Sequence, residues 1–181
     1  MKYSLRSLMI GVLLLWVVGG FSQDSKRRDL DLANHAPFAS SVAKLTSLTM
    51  YEGLPVETKL LASELRTKKT TKFQDYPFYS ETLTVSKADA ATLTKICSDP
   101  ASLAQFEKKF CEFHPDYCLE WKVGKETWRA LICLGCGEVK FYGPKNMRLH
   151  CDLEKETYKN LKTMLKEYKK NRPSGDATPA P

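Results

Sequence analysis

The sequence predicts an α+β domain: an antiparallel β-meander of three to four strands, packed on one face by helices, with a long C-terminal helix. Three observations carry this expectation. Apolar and polar residues alternate on both sides of Gly124-Lys125, as they do in a half-buried hairpin. Leu153, Tyr158, Leu161, Met164, Leu165 and Tyr168 recur at helical spacing, with Lys and Glu on the opposite side. Gly and Pro punctuate the stretches between these patterns.

The central hairpin is the best-defined element. Gly124 at the first position of a two-residue type II′ turn supplies φ > 0. The turn sets Val123 opposite Glu126, Trp121 opposite Trp128, Glu120 opposite Arg129 and Leu119 opposite Ala130. One face then carries Tyr117, Leu119, Trp121, Val123, Trp128, Ala130 and Ile132; the other carries Glu120, Lys122, Thr127 and Arg129. A slip of one residue would mix these sets, so the register is specified. A third strand over 138–142 places Val139 near Ile132 and Phe141 near Ala130, and a fourth over 147–151 follows Gly143-Pro144. Asp152 reads as the cap of the last helix.

Upstream, 44–51 alternates as a strand, and Pro55 suits the first turn of a helix over 55–66 that buries Val56, Leu60, Leu61 and Leu65. Residues 72–79, with Pro77, read as an extended or edge segment. Ser86 caps a helix reaching Cys97, with Ala90 and Leu93 inward, and Asp99-Pro100 starts a short turn through Phe106.

The ends of the chain speak to location. Lys2 and Arg6 precede an apolar run over 8–18, and Gly20 and Ser22 offer small residues for a peptidase. This is the pattern of a secretory signal peptide over 1–22, the alternative being an uncleaved N-terminal anchor. The run is shorter than the roughly 20 apolar residues that span a bilayer. Export to the periplasm or beyond is the expectation, with membrane contact only through residues 1–22. Residues 23–42 show no period and read as a linker, 43–172 as one domain, and 173–181 as a disordered tail. The net charge of +7 falls to +5 without Lys2 and Arg6, and the positive residues are interleaved with Asp and Glu. That pattern describes solvated helix faces and argues against nucleic-acid binding.

Chemistry concentrates in six cysteines: Cys97, Cys111, Cys118, Cys133, Cys136 and Cys151. The hairpin brings Cys111-Glu112-Phe113-His114 alongside Cys133-Leu134-Gly135-Cys136. Three chemistries fit this convergence. Disulfides suit an even count in an oxidising compartment, and Cys111 is able to reach Cys136 while Cys118 and Cys133 sit diagonally on one face. A zinc site would take Cys111, His114, Cys133 and Cys136 as a Cys3His tetrahedron, which resembles the two knuckles of a zinc ribbon over 111–137 but departs from the four-cysteine pattern at His114. Thiol–disulfide exchange would use Cys133 as attacking and Cys136 as resolving thiol, yet no helix N-terminus lies in this stretch to lower a thiol pKa. Disulfides are preferred, with no cofactor expected and zinc as the alternative.

No paired carboxylates at acid–base spacing, phosphate-cradling glycine loop or Gly-x-Ser-x-Gly motif occurs, so no catalytic residue is assigned. The expected function is a non-catalytic binding or structural module of the envelope, the alternative being an oxidoreductase built on Cys133 and Cys136. The segments Glu52-Gly53-Leu54-Pro55, Phe113-His114-Pro115-Asp116-Tyr117, Cys133-Leu134-Gly135-Cys136-Gly137-Glu138 and Leu149-His150-Cys151-Asp152-Leu153 resemble those of uncharacterised exported bacterial proteins. The resemblance spans roughly residues 45–170 and implies a single exported domain; it brings no activity or substrate.

Overall fold

The computed structural model describes residues 31–173. The expected signal or anchor segment, the first part of the expected linker and the tail beyond Pro173 lie outside the described residues.

Eight antiparallel strands form one sheet: β1 (Ser47–Gly53), β2 (Thr70–Phe73), β3 (Tyr76–Leu83), β4 (Leu103–Ala104), β5 (Tyr117–Val123), β6 (Glu126–Cys133), β7 (Glu138–Tyr142) and β8 (Arg148–Leu153). Their order is β2-β3-β1-β5-β6-β7-β8-β4. The expected meander of three to four strands is therefore corrected: β5 to β8 form it, but four further strands extend the sheet on both sides. The β5–β6 register is the one the Gly124 turn demands, from Val123 opposite Glu126 to Leu119 opposite Ala130. Gly124 has φ 60°. Val139 pairs with Ile132 and Phe141 with Ala130.

Four helices accompany the sheet: α1 (Ala36–Val42), α2 (Thr58–Thr67), α3 (Lys87–Ser98) and α4 (Lys155–Lys166). The expected linker over 23–42 is corrected in its second half. A 3-10 turn, Leu32–His35, leads into α1, which starts with Pro37 in its first turn and buries Phe38 completely. Phe38 meets Trp128 edge-on at 5.6 Å and lies 5.4 Å from Phe141. From α3, Leu93, Ile96 and Cys97 join the same core, as do Leu161 and Leu165 from α4. Two polar atoms inside it are matched, Trp121 Nε1 donating to Ser41 Oγ (3.0 Å) and the Tyr117 hydroxyl to the Leu165 carbonyl (2.7 Å), while Trp128 Nε1 is buried with no hydrogen-bond partner among the described residues.

Two smaller expectations fail for local reasons. Glu154, not Asp152, caps α4, accepting from the N–H groups of Glu156 and Thr157; Asp152 is held within β8. The stripe expected to be buried on α2 is not, since Val56 and Leu65 are exposed and no α2 residue is buried. The helix face of the sheet is already filled by α1, α3 and α4.

The β2–β3 hairpin turns through Gln74 and Asp75, both at positive φ (51° and 72°). That is type I′ geometry, which Asn-Gly adopts with less strain than Gln-Asp. Replacing the pair (Gln74→Asn with Asp75→Gly) is expected to raise stability by up to about 1 kcal/mol. A lower urea midpoint in the double variant would contradict this reading of the turn.

Candidate functional site

Strand order dictates how the cysteines meet. β4 pairs with the outer side of β8, whereas the next strand, β5, lies between β1 and β6. The chain between them, 105–116, must therefore cross β8, β7 and β6. It does so as an irregular strap on the sheet face opposite the helices.

Each stage of the crossing is marked by a contact. The Phe106 ring lies 4.0 Å from the His150 imidazole on β8. Lys109 Nζ lies 2.9 Å from Asp152 Oδ1 and 4.0 Å from Glu138 Oε1, and it donates to the Cys136 carbonyl at 3.0 Å. Cys111 is disulfide-bonded to Cys136, in the β6–β7 turn, with Cα atoms 5.8 Å apart. Phe113 then packs under the Lys140 ammonium (4.0 Å) and beside Tyr76 (5.5 Å). Tyr76 belongs to the β2–β3 hairpin, which folds over the same face, with Phe73 beneath the Arg129 guanidinium at 4.7 Å. The Glu120–Arg129 pair expected from the register is present at 2.7 Å, but half-buried.

Under the strap lies a charged cluster. Glu138 is 2% exposed, and Asp152 faces it directly across β7 and β8. Two carboxylates opposite one another repel unless cations intervene. His150 Nε2 lies 2.8 Å from Glu138 Oε2, and Lys109 arrives from the strap between Glu138 and Asp152. The strap thus supplies the charge that the buried face lacks.

A second network ties the strap to the C-terminal segment. The Glu52 carboxylate, fully buried, accepts the backbone N–H groups of Lys170, Asn171 and Arg172. The Arg172 guanidinium donates to Gly53 O, Pro115 O and the Asp116 carboxylate. Asp116 Oδ2 in turn accepts the Leu134 N–H (2.6 Å), inside the Cys133–Cys136 turn.

Among the candidate metal ligands, Cys111 and Cys136 are consumed by the bridge. Cys133 is a buried free thiol, and the His114 Nδ1 is buried with no hydrogen-bond partner among the described residues. Among the described residues no group of three or more His, Cys, Asp or Glu is placed to hold a metal ion. Cys97, Cys118 and Cys151 are free and buried as well. Burial pushes the Cys97 thiol up to about 12 and raises Cys118, Cys151 and Cys133. At Cys133 the N–H groups of His114, Cys136 and Gly135 oppose that rise.

Sequence reading missed Lys109, Glu138, His150, Asp152 and Arg172. A signal existed for the first four: the β7–β8 register puts Glu138 opposite Asp152, which calls for a cation from elsewhere.

Comparison with known proteins adds nothing to this geometry: no family model matches the chain, and neither a curated protein nor a solved structure matches it. Among the described residues, no helix is long and apolar enough to cross a membrane.

The three histidines, His35, His114 and His150, are held below their ordinary pKa, in each case first by burial. The unfolded chain then binds more protons below about pH 6.5, so stability is full above that value and falls with acidification. The carboxylates Glu81, Asp89 and Glu154, held low by their hydrogen-bond partners, lose their contribution only at lower pH. The urea midpoint is expected to decrease between about pH 7.5 and about pH 5.5. A flat or rising midpoint over that interval would contradict the sign.

Proposed function

We propose that the chain is an exported, non-catalytic binding or structural module of the cell envelope, in which one disulfide fastens a strap across a charged sheet face. The observation that carries this reading is the Cys111–Cys136 bridge together with its setting. It closes over Glu138, His150 and Asp152, and the strap residue Lys109 completes their charge balance. A bridge of this kind belongs to an oxidising compartment, in keeping with the basic and apolar N-terminal segment. The remaining thiols are buried with raised pKa values, the opposite of what an attacking thiol needs towards an external substrate. Cys136 has Cys111, not Cys133, as its partner, which weighs against the Cys133-x-x-Cys136 oxidoreductase. A zinc ribbon would need both bridge sulfurs back as thiolates.

The full chain, expressed with its N-terminal segment in a bacterial host, tests this reading through fractionation and intact mass. The exported product is expected to take four alkyl groups when denatured without reductant and six after reduction. Cytosolic chains with six free cysteines, or catalytic turnover of a disulfide substrate, would overturn it.

A further inference from the structure

A free thiol lies beside the bridge and takes no part in it. Cys133 sits three residues before Cys136 in a closed turn, where the Gly137 N–H meets the Cys133 carbonyl at 3.0 Å. The Cys136 N–H points at the Cys133 sulfur, 3.4 Å away, and the Gly135 and His114 backbone also favours the thiolate there. Backbone donors of this kind offset the loss of water around a sulfur anion. Cys118, Cys133 and Cys136 pack in one cluster beneath the strap, while Cys111 is exposed. The bridge therefore has an inner sulfur with a thiol neighbour and an outer sulfur on a segment facing solvent.

We propose that Cys133 is an internal exchange thiol for the bridge, displacing Cys111 from Cys136 and unmasking Cys111 as a solvent-facing, thiol-reactive site on a released strap. In this step the Cys133 thiolate attacks Cys136 Sγ. The Cys133–Cys136 bond forms, the Cys136–Cys111 bond breaks, and Cys111 leaves as thiolate. The proton lost by Cys133 is recovered at Cys111, so one disulfide and four thiols stand on each side and no oxidant or reductant is consumed. Burial keeps Cys133 protonated and the strap closed for most of the time; Lys109 and Phe113 favour the closed form through their contacts on β7 and β8. Cys118 is a free, buried thiol of the same cluster that lies outside the Cys133–Cys136 turn, and serves as the control. The inference rests on the bridge assigned under the proposed function, and the experiment separates the two.

The oxidised full-length exported protein is incubated with N-ethylmaleimide near pH 8, about the ordinary thiol pKa, without denaturant. The maleimide is then removed, the remaining thiols are capped with iodoacetamide in denaturant, and the protein is digested with trypsin and mapped. The expected product carries one adduct, on Cys111, and a disulfide within the tryptic peptide 130–140 that holds both Cys133 and Cys136. Cys133→Ser and Cys133→Ala are each expected to slow Cys111 labelling by at least about tenfold, and Cys118→Ser to leave it unchanged. Equal labelling of Cys111 without Cys133, an adduct on Cys133 itself, or Cys111 labelling with no internal link in peptide 130–140 would overturn the exchange. So would a wild-type chain that takes no label at Cys111. The 130–140 link is read in the wild type, so the result stands even where a Cys133 variant fails to fold. A protein with no Cys111–Cys136 bridge before labelling overturns the parent reading, and this one with it.

Discussion

Gly53→Ala is expected to lower the unfolding free energy by about 3 kcal/mol, a large effect for one methyl group. The cause is steric. Gly53 lies outside the positive-φ residues, so alanine is conformationally acceptable there. A Cβ at this position would collide with the Pro115 carbonyl oxygen and come within 2.9 Å of Arg172 Nη2 and 3.2 Å of the Asp116 carbonyl. Two of these three neighbours are backbone atoms of the strap's end, and the third belongs to the guanidinium that holds the strap to β1. None yields without moving the 115–116 backbone or breaking the Arg172 network. Gly124→Ala provides the contrast, since nothing lies within 4 Å of its Cβ while φ is +60°. It is expected to cost about 1 kcal/mol from backbone strain alone. Urea midpoints of the two variants would test the argument, which fails if Gly53→Ala is the milder.

Removing the bridge is the other large change. Cys111 and Cys136 are 25 residues apart, a loop whose closure entropy corresponds to about 3 kcal/mol of stability. The double variant Cys111→Ser with Cys136→Ser is expected to lose about that much, and reductant should lower the wild type to the same level. In the double variant, reductant should then change nothing, because the other four cysteines carry no disulfide. A variant as stable as the oxidised wild type would mean that the strap is held by Lys109, Phe106 and Phe113 alone.

The parts of the fold that were legible in sequence are those with a local signal. Gly124-Lys125 fixes a turn, and the alternation around it fixes which face each residue takes, so seven residue pairs across β5 and β6 follow from two turn residues. The same geometry brings the two cysteine stretches together, and Cys111–Cys136 is one of the pairs it allows. Other elements lack such marks. Gln74 and Asp75 turn a hairpin in a left-handed conformation without the glycine that would announce it. β4 has two residues, Leu103 and Ala104, yet its place beyond β8 decides that the strap must cross three strands. Alternation assigned Arg129 to an outward face; the strap and the β2–β3 hairpin cover that face, with Phe73 on Arg129, Phe113 on Lys140 and Phe106 on His150. Arg172, last residue before a polar tail, gives no hint in sequence that it joins β1 to the strap.

One covalent tether, the Cys111–Cys136 bridge, keeps the strap on the sheet. Amide hydrogen exchange of the oxidised full-length protein, followed by mass spectrometry before and after mild reduction, reads this directly. Peptides covering 105–113 are expected to exchange at least about tenfold faster once the bridge is reduced, while those from β5, β6 and α4 keep their protection. Unchanged protection across 105–113 in the reduced protein would contradict the account.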